Sequence, residues 1–161
     1  MLILAIDPGN TESAYALIEM PNFSVVEKGK INNEDLKDRL PSLSTRAHRV
    51  AIEMIASYGM PVGRDVFETC VWIGRFMAAS ARSAAFVYRM DEKMALCYDA
   101  RANDATIKRA LIDRYAKHDL KTGKGTKKNP DTFFGVSKDV WQAIAVGVAF
   151  YEKGATDEQE D

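Results

Sequence analysis

Leu2-Ile3-Leu4-Ala5-Ile6-Asp7-Pro8-Gly9-Asn10-Thr11 is the stretch of sequence that decides the fold. Its apolar residues continue without a break to an aspartate, and turn-forming residues follow at once. A continuous apolar run closed by turn residues is typical of a strand buried on both faces. A carboxylate at the end of such a strand is costly to bury without a partner. Asp7 is therefore either the cap of a turn or a ligand at a metal or phosphate site.

The composition is that of one ordinary globular domain. Of the 161 residues, 47% are hydrophobic and 28% are charged, which is sufficient for a full core. No apolar run is long enough to cross a membrane, and the N-terminus lacks the layout of a signal peptide. We therefore expect an intracellular, cytoplasmic protein. Cys70 and Cys97 have no metal-binding spacing, and we expect both to be free thiols.

Charge is distributed unevenly along the chain. The formal net charge is −1, yet residues 101–128 carry nine Lys and Arg against three Asp and Glu. Residues 152–161 carry five acids and one lysine. We expect residues 1–151 to form a single domain and residues 152–161 to form an acidic, disordered tail. The basic segment permits a polyanionic partner such as nucleic acid without requiring one.

Apolar patterning predicts a mixed α/β fold. After the first strand, further strands are predicted at residues 13–18, 23–30, 49–55 and 84–88. Helices are predicted at residues 33–40 (ended by Pro41), 65–80, 103–117 and 138–151. The first three strands have short connections and predict an antiparallel meander, and the later strands alternate with helices that cover the sheet. Residues 118–137 form a long Gly- and Lys-rich loop, which is either functional or mobile.

Two further acids have unusual positions. Glu53 lies inside the apolar strand at residues 49–55, and Asp139 lies at the start of the last apolar helix. If the first and fourth strands are neighbours, Asp7 and Glu53 lie side by side and need a proton or a cation between them. Mg²⁺ suits such oxygen ligands. The alternatives are an arginine partner for Glu53 and a favourable helix dipole for Asp139, but the three acids together favour a metal site.

These features resemble RuvC-type Holliday junction resolvases, which have the RNase H-like fold. The resemblance rests on Asp7-Pro8-Gly9 at the end of the first strand, on the isolated Glu53 and on Asp139 in an Ala-rich last helix. It extends from Leu2 to about Tyr151. Residues 58–63 and 125–130 are most similar to small phage-encoded RuvC-like proteins, which implies a bacterial host that carries or is infected by a phage.

The resemblance implies hydrolysis of DNA phosphodiesters in four-way junctions with two Mg²⁺ ions per active site, for which Mn²⁺ is a substitute. It assigns Asp7 as the bridging metal ligand and Glu53 and Asp139 as further ligands. Lys93 lies near a family lysine that supports the chemistry electrostatically.

One feature departs from the family pattern. RuvC enzymes place two metal-binding side chains one turn apart on the last helix, whereas here Val136 and Gln142 flank Asp139. Either one metal is held more loosely, or a ligand such as Asp131 comes from the preceding loop.

Basic residues in the second half of the chain are the predicted phosphate contacts. They are Lys121, Lys124, Lys127 and Lys128 in the loop, with Arg101, Lys108, Arg109 and Arg114 before it. Tyr58 and Met60, which follow Glu53, are predicted to contact bases. The alternatives are a solvated helix with a flexible loop for the basic residues and a hydrophobic plug for Tyr58 and Met60.

A four-way junction has two scissile strands related by approximate twofold symmetry, which suits a homodimer. In the 65–80 helix we expect the core-facing residues to be Val66, Cys70, Ile73 and Met77. We expect the surplus apolar residues to form the dimer interface: Phe67, Val71, Trp72 and Phe76. Two alternatives are an endonuclease that also cuts flaps and forks and a non-catalytic junction-binding protein. A nucleotide-clamping ATPase, which Asp7-x-Gly9-x-Thr11 also fits, needs two such subdomains and is excluded by length.

Overall fold

A single mixed sheet forms the centre of the structure, a computed structural model that describes residues 1–157, with side chains for residues 1–154. The strands are β1 (Leu2–Asp7), β2 (Glu12–Glu19), β3 (Ser24–Asn32), β4 (Arg49–Met54) and β5 (Ala84–Tyr88). The helices are α1 (Asn33–Arg46), α2 (Arg64–Ala79), α3 (Arg89–Cys97), α4 (Asp104–Tyr115) and α5 (Lys138–Asp157). No helix within residues 1–157 has both the length and the apolar character needed to cross a membrane.

The strand order is β3-β2-β1-β4-β5. Strands β1, β2 and β3 form the predicted antiparallel meander, and β1, β4 and β5 are parallel. The predicted mixed α/β sheet flanked by helices is thereby confirmed. Ile6 pairs with Ile52 across β1 and β4, so Asp7 and Glu53 are the next residues on two adjacent parallel strands. Their positions at one edge of the sheet follow directly from this register.

Strand β1 is buried on both faces, as predicted. Leu4 and Ile6 pack in an apolar cluster with the buried residues of α1 and α2. Ile3 on the opposite face packs with buried residues of α4 and α5. Helices therefore cover both faces, and the two apolar clusters hold β1 rigidly from Leu2 to the position of Asp7.

Helix α5 approaches the sheet closely at Gly147. A Cβ atom added there would lie 2.7 Å from Ile18 Cδ1 and 3.1 Å from Ala5 Cβ. We expect Gly147→Val to lower the free energy of unfolding by about 1–3 kcal/mol through overpacking. Urea denaturation measures this change, and Gly154→Val near the end of the same helix is the control, because a Cβ atom there meets nothing within 4 Å. Equal stability of Gly147→Val and the wild type would contradict the close approach.

The prediction of the helices was wrong or incomplete in three places. Helix α1 does not end at Pro41 but continues to Arg46, because Leu36, Leu40 and Leu43 form one buried face across the proline. That burial outweighs the cost of the missing N–H. Helix α3 was not predicted. Helix α5 extends six residues beyond Tyr151, and the rest of the predicted tail, residues 158–161, lies outside the described residues.

Helix α2 begins and ends within one residue of its prediction, but its buried face differs. Phe76 is fully buried and Met77 is exposed, the reverse of the expectation. Phe67 and Val71 remain exposed, and Trp72 is partly buried against the core. The two cysteines are free, as expected.

Candidate active site

An open cleft lies at the edge of the sheet where β1 and β4 end. All three predicted metal ligands line it, together with basic side chains and one tryptophan. Its lining includes Asp7, Glu53, Asp139, Arg89, Asp104, Lys108, Lys124, Lys138, Trp141 and Gln142. A cleft lined by both acidic and basic groups is suited to a phosphodiester whose negative charge needs neutralisation.

A buried polar network fixes the turn that follows Asp7. Ser13 Oγ accepts the N–H of Gly9 at 3.0 Å and donates to Asn33 Oδ1 at 2.6 Å, and Asn33 Nδ2 donates to Gly9 O at 2.8 Å. A Cβ atom on Gly9 would lie 2.3 Å from Glu12 O, so this turn requires glycine. Ser13 thus fills the capping role that was the alternative for Asp7.

Asp7 and Glu53 form a hydrogen-bonded pair of carboxyl groups. Burial, followed by the charge of Glu53 and the hydrogen bond to it, raises the pKa of Asp7 to about 9. The more distant acids Glu92 and Asp139 raise this pKa further. A pair of carboxylates this close does not ionise fully without a compensating cation.

Asp139 lies in the first turn of α5 and is paired with Lys30 of β3. Lys30 Nζ lies 2.5 Å from Asp139 Oδ2 and 3.8 Å from Glu12 Oε2. The Asp139 carboxylate is the main cause that raises the pKa of Lys30 above its ordinary value. Both side chains are partly exposed, so this ion pair can exchange with other partners at small cost. Sequence reasoning missed Lys30.

Glu92 is a further acid at this site that sequence reasoning missed. It is fully buried on α3, where Arg89 Nη1 lies 2.7 Å from Glu92 Oε2 and Gln142 Nε2 also donates to Oε2. Its other oxygen, Oε1, is buried and has no hydrogen-bond partner among the described residues. Burial and then the charge of Glu53 raise the pKa of Glu92 to about 8. The signal available in the sequence was its spacing of four from Leu96, which is also buried.

These acids fit a divalent cation by their chemistry. They supply oxygen ligands, and Glu92 Oε1 is a buried oxygen that lacks a donor. Within the part of the chain that the structure describes, however, no three His, Cys, Asp or Glu side chains are arranged as a ready-made metal site. The reason is that these acids already have partners: Asp7 interacts with the Glu53 carboxyl group, and Asp139 forms an ion pair with Lys30. The assignment of Asp7, Glu53 and Asp139 as ligands stays a prediction.

Lys93 does not line the cleft. It lies in a neighbouring hollow with Ala102 and Asn103, and its Nζ is 3.4 Å from Ala100 O. Arg89 lines both hollows, and it pairs with both Glu92 and Asp104. Arg89 is therefore closer to the carboxylates than the lysine singled out from the sequence.

The Gly- and Lys-rich loop is ordered by its own hydrogen bonds. Thr126 and Asn129 exchange backbone hydrogen bonds of 3.0 and 3.1 Å, which makes Lys127-Lys128 the two-residue tip of a tight hairpin. Gly125 has φ +66°, and a Cβ atom on it would lie 2.3 Å from Asn129 O. The hairpin presents Lys127 and Lys128 to solvent, whereas Lys124 at its base lines the cleft.

Two aspartates stabilise this loop from within. Asp131 accepts hydrogen bonds from the backbone N–H groups of Lys117, His118, Asp119 and Thr132. Although burial alone would raise its pKa, these donors lower it below the ordinary value. Asp119 likewise accepts from Thr122 and Gly125, which lowers its pKa. Both Asp131 oxygens are occupied, and the residue does not line the cleft, so it is a poor candidate for the missing ligand.

Two of the arginines predicted to contact DNA have partners within the protein. Arg109 pairs with Asp113 and donates to the backbone carbonyls of Leu120 and Lys121, so it anchors the loop to α4. Arg114 donates to the carbonyls of Ala95 and Leu96 and so holds α3 against α4. Arg101 is exposed beside Asp99.

Lys108 lines the cleft with its ammonium group 5.1 Å from the centre of the Trp141 ring. In the loop after β4, Tyr58 and Met60 are 69% and 75% exposed, which leaves both side chains accessible to a partner.

Two solved structures with the same architecture are structures of RuvC. The structure of Thermus thermophilus RuvC superposes with a TM-score of 0.70 at 12% sequence identity and covers 98% of this chain and 97% of its own. The chain has the RuvC fold. T. thermophilus RuvC in complex with a Holliday junction substrate gives a TM-score of 0.71 at 12% identity, covering 97% and 96%. No family model and no curated protein sequence matches the chain significantly.

The RuvC fold explains how the sequence brings the candidate residues together. Its parallel β1 and β4 bring Asp7 and Glu53 to adjacent strand ends, and α5 packs across the sheet so that Asp139 opens onto the same edge. The departure from the RuvC-type pattern also falls in this cleft, because Gln142 lines it one turn after Asp139.

Proposed function

We propose that this protein is a divalent-metal-dependent endonuclease that resolves four-way DNA junctions by paired hydrolysis of phosphodiester bonds. The observation that carries the proposal is the Asp7–Glu53 carboxyl pair. It lies at the edge of the sheet in an open cleft that is also lined by lysine and arginine side chains. The RuvC fold supports it, since one of the similar structures is a complex with a Holliday junction substrate. Action in the cytoplasm of a phage-carrying or phage-infected bacterium stays a prediction that rests on the sequence alone.

In this proposal Asp7, Glu53 and Asp139 hold two Mg²⁺ ions, for which Mn²⁺ can substitute. Such ions, when bound, lower the pKa of an attacking water and offset the charge that develops on the leaving oxygen. Lys124 and Lys108, which line the same cleft, would neutralise the phosphates that flank the scissile bond. Exchange of the Lys30 ammonium for another cation frees Asp139 for this role.

Cleavage of synthetic DNA with and without Mg²⁺ tests the proposal. A four-way junction, a flap and a fork are compared with a linear duplex of the same sequence. We expect metal-dependent, symmetrically paired nicks in the junction only. Equal cutting of flap and fork would indicate the broader branched-DNA endonuclease, and tight junction binding without cutting would indicate the non-catalytic alternative.

The hairpin tip supplies a separate prediction for binding. We expect Lys127→Ala/Lys128→Ala to weaken junction binding. We also expect the slope of log affinity against log salt concentration to become shallower by about two, because two exposed phosphate contacts are removed. Electrophoretic mobility shifts at several salt concentrations measure both effects. Lys37→Ala, an exposed lysine on α1 paired with Glu34, is the control. An unchanged salt slope would exclude the tip from the DNA interface.

We also propose that the protein acts as a homodimer. The exposed face of α2 presents Phe67 and Val71, and Gly74 beyond them leaves open space for close approach of a second helix. Because Phe76 belongs to the core, this interface is smaller than the sequence suggested. Sedimentation equilibrium of the wild type tests the dimer, and a monomer at micromolar concentration would contradict it.

A further inference from the structure

We propose that Glu92 supplies the fourth carboxylate of the metal site, the one that helix α5 and the loop before it do not provide. The inference rests on the proposed function, because it concerns the same cleft. It assigns a role in metal binding to a residue of α3 rather than to a residue of the last helix.

The position of Glu92 follows from the strand register. Strand β5 is parallel to β4, and Glu53 pairs with Val87. Helix α3 begins at Arg89, two residues later, so its first turn starts at the edge where Asp7 and Glu53 lie. Glu92, in that turn, is buried behind the cleft surface and has Glu53 as its strongest acidic neighbour.

The hydrogen bonds of Glu92 leave one oxygen available. Arg89 and Gln142 both bond Oε2, whereas Oε1 is buried without a donor. A buried carboxylate oxygen without a partner carries a large desolvation cost, and a bound ion is one of its ordinary explanations. The acids that interact electrostatically with Glu92 are Glu53 and Asp7, and a cation shared with them would supply what Oε1 lacks.

The ion pair with Arg89 does not by itself account for Glu92. Arg89 also pairs with Asp104, so one positive charge faces two acids. With Asp7 and Glu53 in the same cluster, the negative groups outnumber the positive one before any cation is added. If the Arg89–Glu92 ion pair served only stability, placing it beside further acids would weaken it, because those acids raise the cost of the buried negative charge.

Gln142 has the function of holding Glu92 in this assignment. It lies one helical turn after Asp139, and its amide N–H donates a hydrogen bond to Glu92 Oε2. The contact between α3 and α5 therefore contains one carboxylate and one amide. In this assignment the carboxylate is that of Glu92 on α3, so the site does not need an acid at position 142 on α5.

A Mn²⁺ titration by calorimetry, without DNA, tests the assignment directly. Glutamine has the shape of a protonated glutamate, so Glu92→Gln removes the charge while preserving the packing. We expect Glu92→Gln to weaken Mn²⁺ binding at least about tenfold and to reduce junction cleavage in parallel. Glu19→Gln is the control, because Glu19 lies at the far end of the sheet, where it pairs with Leu2 in the β1–β2 register.

A swapped variant, Glu92→Gln/Gln142→Glu, keeps one carboxylate and one amide at this contact. We expect it to bind Mn²⁺ more tightly than Glu92→Gln. If Glu92→Gln does not fold, the swapped variant is compared with the wild type, and an affinity lower than that of the wild type by more than about tenfold would overturn the inference. Unchanged Mn²⁺ binding by Glu92→Gln, or binding by the swapped variant no tighter than that of Glu92→Gln, would overturn the inference. Failure of the proposed function is distinguishable, because it would appear as a wild type that binds Mn²⁺ and leaves every branched DNA uncut.

Discussion

Asp7→Asn is expected to abolish junction cleavage, by on the order of 10⁴-fold, the loss typical when a group that acts directly in the chemistry is removed. Asparagine has the same shape but cannot carry the negative charge that a bridging ligand needs. Junction binding is expected to be unchanged, because the basic side chains that contact phosphates are untouched. Single-turnover cleavage and mobility shifts on the same junction measure the two effects separately.

The control for this variant is Asp65→Asn, which removes an exposed acid at the start of α2. It should cut at the wild-type rate. Undiminished cutting by Asp7→Asn would remove Asp7 from the metal site and leave its burial beside Glu53 without a catalytic explanation. Loss of both binding and cleavage would indicate instead that the substitution disturbs the turn held by Ser13 and Asn33.

The sheet could be predicted from the sequence because its signals are local. An unbroken apolar run defines β1, short connections define the meander, and each predicted strand pairs with a neighbour through its own backbone. The adjacency of Asp7 and Glu53 followed once β1 and β4 were taken as neighbours. Their parallel pairing confirms that step.

Helix α3 could not be predicted in the same way. Only Glu92 and Leu96 of its nine residues are buried, so it has no apolar stripe that a periodicity can detect. Resemblance therefore led to Lys93, one residue away. On a helix of 3.6 residues per turn, adjacent side chains point about 100° apart, which is sufficient to exchange the acid buried behind the cleft for a lysine in the neighbouring hollow.

The basic loop was difficult for a different reason. Its composition is that of a flexible segment, and its order comes from the aspartates Asp119 and Asp131, whose bonds go to backbone N–H groups rather than to recognisable partners. Asp131 and Arg109 were singled out by charge, and in the structure both form hydrogen bonds that hold this loop. Sequence reasoning counts charges, whereas a role in binding depends on which charges already have partners.

When a chelator has removed divalent cations, the free energy of unfolding of the protein is expected to fall as the pH rises. Burial and neighbouring acids raise the pKa of Asp7 from 3.8 to about 9 and that of Glu92 from 4.5 to about 8. Between these limits the folded state holds protons that the unfolded chain has released, so the free energy of unfolding falls with rising pH. The stabilisation is fully present only below the unfolded pKa values, and each pH unit in the window costs up to about 1.4 kcal/mol per group.

Mg²⁺ should remove or reverse this pH dependence. A bound cation replaces the protons, and its affinity rises as the carboxyl groups lose them. Thermal unfolding from about pH 5 to about pH 9, in chelator and in Mg²⁺, measures both curves. Asp7→Asn should flatten the curve in chelator, since it has no proton to lose at this position, and it should therefore be more stable than the wild type at the alkaline end. A wild-type curve in chelator that is flat, or that rises with pH across the whole window, would mean that the acids of the cleft are neutralised by the protein's own arginine and lysine side chains, and the case for cations in the cleft would lose its electrostatic basis.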